Sequence, residues 1–129
     1  MGLTFVHIQV SNPANKVKPI GVKCLVDSGA VYTLIPRPIL DQLGIQPHSR
    51  REFILANGEA MERELGTAAF FYENRRGDSL VIFGEPGDEP LLGATTLESF
   101  GLILDPFRRE LRPLPMKLAG FRIAIRDGR

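Results

Sequence analysis

Asp27-Ser28-Gly29-Ala30 sets a carboxylate between two apolar, β-favouring runs, Val22-Lys23-Cys24-Leu25-Val26 before it and Val31-Tyr32-Thr33-Leu34-Ile35 after it. Asp is depleted in strands, and Gly marks a tight turn or a close backbone approach. The arrangement delivers an acid to a fixed place. A carboxylate held in this way can take a proton from water or return one to a leaving group. Asp-Ser-Gly is also ordinary turn chemistry, so these residues alone leave a purely structural turn open.

The second half of the chain echoes the first. An apolar strand, Gly29, Leu34, Ile35 and a short helical stretch lead to Leu43-Gly44-Ile45. Leu91, Leu92, Gly93 and another short helical stretch lead to Phe100-Gly101-Leu102. This is a degenerate repeat of strand, Gly turn, helix and Gly cap, and only its first copy carries an acid.

Val26-Asp27-Ser28-Gly29-Ala30 resembles the hydrophobic-Asp-Thr/Ser-Gly-Ala signature of the retropepsin-like aspartic proteases, and Leu91-Leu92-Gly93 resembles their second, hydrophobic-hydrophobic-Gly motif. That family includes the retroviral proteases and cellular and bacterial relatives such as the DNA-damage-inducible protease domain. The resemblance spans roughly residues 3 to 115. It implies an all-β, single-domain, closed or partly closed barrel with one or two short helices. It also implies an aspartic endopeptidase that cleaves an extended peptide or a partly unfolded protein.

Peptide hydrolysis without a metal or a covalent intermediate needs a base to activate water and an acid to protonate the leaving amine. Two adjacent carboxylates do both, because their repulsion keeps one protonated while the other acts as base. This chain has one such Asp. Asp41, Asp78, Asp88, Asp105 and Asp127 sit in helix, turn or tail contexts. A two-fold homodimer supplies the second acid, with Asp27 of each subunit at the axis.

The resemblance gives the neighbours their roles. Ser28 reaches across the axis to the partner's backbone, or else bonds its own loop. Gly29 passes close to the carboxylate and offers its N–H, and Ala30 is small where substrate approaches. Val31 and Tyr32 stand where the family often has a polar residue, which alters the pocket; Tyr32 is expected to pack on a sheet. Ala56, Asn57, Gly58 and Glu59 lie where the family places the tip of its flap, without the multi-glycine tip of the retroviral enzymes. A plain surface hairpin is the other reading. No metal or organic cofactor is expected. The competing function is a non-catalytic peptide-binding or dimerisation module on the same fold.

Composition fits these expectations. The chain has 129 residues, enough for one domain with its own core, and 43% of them are hydrophobic. No run is long enough for a membrane helix, and no secretory signal is visible, so a cytoplasmic location is expected. The single cysteine, Cys24, suits a reducing compartment and a buried strand position. The net charge of +1 is dispersed, which argues against nucleic acid or a membrane as partner.

Strands are expected over Leu3–Val10, Ile20–Val26, Val31–Ile35, Glu52–Ala56, Ala60–Tyr72, Leu80–Phe83, Leu102–Leu104 and Glu110–Arg112. Asn57-Gly58 marks a hairpin, and Glu73–Asp78 reads as a polar turn containing Arg75-Arg76. Short helices are expected over Pro36–Leu43, ended by Gly44, and from a Thr95 or Thr96 cap to Phe100. The protease domain would cover 1–115. Residues 116–129 would be an extra strand, a dimer contact or a disordered tail. His7 and His48 have no partners at metal spacing, and Ser28 lacks a nucleophile-elbow context.

Overall fold

The computed structural model describes residues 2–115. Among these the chain is mostly β, with two short helices. The elements run β1 (Phe5–Ser11), β2 (Ile20–Val26), β3 (Thr33–Pro36), α1 (Arg37–Gln42), β4 (Ser49–Ile54) and β5 (Ala60–Tyr72). They continue with β6 (Arg75–Gly84), β7 (Leu91–Leu92), α2 (Ala94–Phe100), β8 (Leu102–Asp105) and β9 (Glu110–Pro113).

Period-two alternation builds the first hairpin. Ile8 and Val10 of β1 and Val22, Cys24 and Val26 of β2 point inward, and the register sets Val6 opposite Cys24 and Ile8 opposite Val22. The strand order of the main sheet is β1-β2-β7-β3-β6-β5-β4. Strand β1 also pairs with β5, so the hydrogen bonding returns to its start through six strands while β4 extends beyond β5. Strands β8 and β9 form a separate two-stranded sheet. The core centres on fully buried Phe70, Phe83, Ile8, Ile35, Leu40 and Leu92. Each such side chain contributes roughly 1.5–3 kcal/mol through removal from water.

One connection decides where the chemistry sits. β2 and β3 are consecutive in sequence, yet β7 lies between them, parallel to β2 and antiparallel to β3. The Asp27 turn must therefore arch over the end of β7, next to Gly93.

Several elements differ from the sequence reading. Val31 and Tyr32 are not in a strand, because β3 begins only at Thr33. The expected polar turn over Glu73–Asp78 shrinks to Glu73-Asn74, and Arg75-Arg76 opens a ten-residue β6 instead. Polar residues suit that strand because Arg76 is exposed and pairs with Asp78, whereas Arg75 donates to the Phe100 carbonyl at 2.7 Å. Helix α2 is capped by Gly93 rather than by Thr95 or Thr96. Both helices are followed by a left-handed glycine, Gly44 at φ 76° and Gly101 at φ 72°, a conformation that costs glycine little. The expected tail, 116–129, lies outside the described residues.

Candidate active site

Asp27 follows the last residue of β2, and backbone bonds hold it from both sides. Its N–H donates to the Leu92 carbonyl at 3.0 Å, and its carbonyl accepts from the Ala30 N–H at 3.1 Å. Just before it, the Val26 N–H donates to the Thr4 carbonyl at 2.8 Å, which binds the start of the chain to the end of β2. The Asp27 carboxylate is partly buried, and its Oδ1 accepts the Gly29 N–H at 3.0 Å. A Cβ on Gly29 would lie 3.3 Å from that same oxygen, so glycine keeps the carboxylate uncrowded. Ser28 and Gly29 are exposed, and Ala30 is half-buried.

The carboxylate opens onto a groove of about 520 Å³. Its floor is a row of apolar residues in register across neighbouring strands, Leu91 of β7, Leu34 of β3 and Ile82 of β6, continued by buried Leu65 of β5. Ala30, Val31 and Tyr32 form one side. The β4–β5 hairpin forms the other, through Phe53, Ile54, Leu55, Ala56 and Met61. Asp27 is the one ionisable acid in this lining. Val31 is 60% exposed and Ile54 is 68% exposed, so large apolar side chains face solvent beside the acid.

The hairpin tip is a tight loop. The Gly58 N–H donates to the Leu55 carbonyl at 2.9 Å, the Leu55 N–H to the Glu59 carbonyl at 2.8 Å, and the Glu59 N–H to Asn57 Oδ1 at 2.9 Å. Gly58 takes φ 88°, which makes glycine the suitable residue there. Of the four residues expected at the tip, Ala56 lines the groove, while Asn57, Gly58 and Glu59 are exposed outside the lining.

Behind the Asp27 turn stands Gly93. A Cβ there would sit 2.5 Å from both the carbonyl carbon and oxygen of Tyr32, and 3.0 Å from the Ala30 oxygen. Only a glycine lets the two turns meet. The meeting satisfies the free end of α2: the Ala94 N–H donates to the Ala30 carbonyl at 2.7 Å and the Thr95 N–H to the Val31 carbonyl at 2.9 Å. This explains why α2 has no side-chain cap. The Gly93 N–H donates to Thr33 Oγ1 at 3.0 Å. Thr33 and Thr96 share a hydrogen bond of 2.6 Å, and Thr96 meets Ser79 Oγ at 3.1 Å. Thr33 and Thr96 are completely buried, so this hydroxyl chain is satisfied internally. Local sequence pattern does not reveal this chain of hydroxyls, although a Thr opening the apolar run Thr33-Leu34-Ile35 is a visible signal.

The two faces of the β4–β5 hairpin differ in charge. Arg51, Phe53, Met61 and Arg63 alternate onto the groove side, with Arg51 opposite Arg63 and Phe53 opposite Met61. Glu52, Glu62 and Glu64 take the other face with Arg50, which pairs with Glu62 at 2.8 Å. At the hairpin base Arg63 contacts both Asp88 oxygens, at 3.1 and 3.3 Å, and Arg37 pairs with Glu64 at 2.6 Å and Glu85 at 3.0 Å. Burial alone would raise the Asp88 carboxyl. The Arg63 hydrogen bond, the Glu85 N–H and the Arg63 charge outweigh it and hold the carboxyl below its usual range. Tyr32, expected to pack on a sheet, does so from the Asp27 loop: it lies edge-on to Phe53 of β4 at 6.3 Å between ring centres and against the Leu34, Leu65 and Ile82 cluster.

No protein-family model matches this chain, and no curated protein does. Among solved structures it is similar to the solution structure of the Simian Foamy Virus (mac) protease, with 18% identity over 72% of this chain and 92% of that one, at a TM-score of 0.48.

The remaining candidates lie away from the groove. His7 is exposed, and His48 bonds Ser49 and Thr67 at the surface. Cys24 is buried in the core, and burial pushes its thiol up to about 12, which keeps it protonated and unreactive. Among the described residues, no group of three or more His, Cys, Asp or Glu could hold a metal ion. None has a helix long and apolar enough to cross a membrane.

Proposed function

We propose that this chain is an aspartic endopeptidase whose residues 1–115 form the catalytic domain. The observation that carries the reading is the placement of Asp27: a residue held by backbone bonds whose carboxylate opens onto an apolar groove walled on its other side by the β4–β5 hairpin. The groove's volume and apolar lining suit side chains of an extended peptide, with few polar groups to orient it. Asp27 would activate the attacking water. One acid cannot also protonate the leaving amine in the same step, and the lining offers no second carboxylate. The second is therefore assigned to Asp27 of another copy, related by a two-fold axis.

Exposed Val31 and Ile54 beside the acid, and exposed Leu3 and Phe5 at the start of β1, are apolar surfaces that such an association would cover. Ser28 would lie at the axis, and Ala56 to Glu59 would close over the substrate. Catalysis would pass through a maximum with pH, as one carboxylate must be charged and its partner protonated. Chelators would leave it unchanged.

The deciding experiment follows peptide hydrolysis and sedimentation over one concentration range. Specific activity should fall as the dimer dissociates. A strictly monomeric chain with full activity would overturn the shared dyad. A stable dimer that binds peptides without cleaving them would leave the same groove as a binding module.

A further inference from the structure

We propose that Tyr32 and Arg51 form a subsite for an acidic side chain of the bound peptide. The preferred substrate would then have apolar residues around the scissile bond and a Glu or Asp at the Tyr32 end of the groove. The inference rests on the peptidase reading above and names its substrate class.

Tyr32 lines the groove, and its hydroxyl accepts a hydrogen bond from Arg51 Nη1 at 2.9 Å, with the guanidinium 5.7 Å from the ring centre. Arg51 is exposed, and among the described residues it forms no ion pair, whereas its hairpin neighbours Arg50 and Arg63 pair with Glu62 and Asp88. The groove face of the hairpin carries no acid, since Glu52, Glu62 and Glu64 all take the other face. The Arg51 charge therefore stands beside Tyr32 at the margin of the groove with no hairpin acid on its face, and Asp88, which reaches that face from the loop before β7, is held by Arg63.

Guanidinium has five N–H donors, of which Tyr32 uses one. Because the Tyr32 oxygen accepts from Arg51, its own O–H proton is free to donate. Two donors beside one another, one of them charged, suit a carboxylate better than an amide and disfavour an ammonium. An extended ligand also fits the sheet: β4, which carries Arg51, is its edge, with no strand paired to its far side among the described residues.

The test uses peptides with a fixed apolar centre and a single Glu, Gln or Lys placed two, three or four residues from the scissile bond on either side. At one position kcat/KM should be about fivefold higher for Glu than for Gln, and lowest for Lys. The advantage should shrink with added salt. Arg51→Met should bring the Glu-to-Gln ratio to one, and Arg51→Glu should invert the preference toward Lys. Equal rates for all three peptides at every position would overturn the subsite, as would a Glu preference that survives Arg51→Met.

Binding of the same peptides, fluorescently labelled, to Asp27→Asn protein separates the two proposals. Acid-selective binding without cleavage by the parent would sink the peptidase reading and keep the subsite. Cleavage without acid selectivity would sink the subsite alone. Failure of every peptide to bind would sink both.

Discussion

The Asp27 turn and the Gly93 turn come from the two halves of an internal repeat, and each leads toward a short helix and a left-handed glycine. They differ in what they show to solvent. From Asp27 to Tyr32 the first makes a loop whose Ser28, Gly29 and Val31 are exposed, and whose acid opens onto a groove. The second has no loop. Gly93 is buried, and α2 begins at the next residue with its first amides donating to the carbonyls of the other turn. One copy presents a carboxylate, and the other supplies the backbone surface that holds it. A repeat of this kind separates two demands that conflict in one segment: an exposed reactive group, and a buried, fully hydrogen-bonded support.

The contrast can be broken from either side. Asp27→Asn keeps the shape of the presenting turn and removes the base. Peptide hydrolysis should fall about a thousandfold, within the range expected for loss of acid–base catalysis, while the melting temperature stays close to that of the parent. Equal rates for the two proteins would refute the role given to Asp27.

Gly93→Ala should do the reverse. Its Cβ would be driven into the Tyr32 backbone, which cannot swing aside as a side chain would. A loss of about 2–4 kcal/mol in urea unfolding is expected, with activity lost through disorder of the Asp27 turn. An unchanged unfolding midpoint would show that the turns are not interlocked.

Thr33→Val sharpens the same point at lower cost. It leaves the Gly93 N–H buried without its acceptor, a loss of about 1–3 kcal/mol. Thr33→Ser retains the hydroxyl and should recover most of that difference in the same measurement.

The smallest effect concerns acid. Asp88 sits in the loop before β7 and binds Arg63 at the hairpin base, and its carboxyl is held below the usual range. A depressed carboxyl contributes stability that is complete above its unfolded pKa of about 4 and is lost as pH falls through the lower folded value. The amount is about 1 kcal/mol or less for one partly exposed pair. Comparing unfolding midpoints at pH 7 and pH 3, the parent should lose more than Asp88→Asn; equal losses would remove this pair from the hairpin's anchorage.

The alternating β1 and β2, the β4–β5 hairpin around Asn57-Gly58 and the two Gly-terminated helices were readable because each rests on local periodicity or on a residue with special backbone freedom. Arg75-Arg76 misled, since two arginines beside Gly77 and Asp78 look like a turn. Pairing with Tyr72 and Phe71 of β5 makes them a strand, a contact between segments that local pattern does not reveal. The Thr95 or Thr96 cap failed for a similar reason. The amides that a side chain would have capped are taken by carbonyls more than sixty residues earlier in the chain.

Residue type by itself determined that Asp27 stands in a tight turn between buried strands, that the motif recurs once without its acid, and that glycine is needed at the ends of both helices. These follow from steric freedom and side-chain period, which act over a few residues. Tertiary structure alone decided the rest. It inserted β7 between β2 and β3, set Gly93 against the Tyr32 carbonyl, and linked Thr33 to Thr96 and Ser79. It also turned Tyr32 toward Phe53 and Arg51. Each of these joins segments distant in sequence, and their geometry is fixed by strand order and close packing rather than by any local preference.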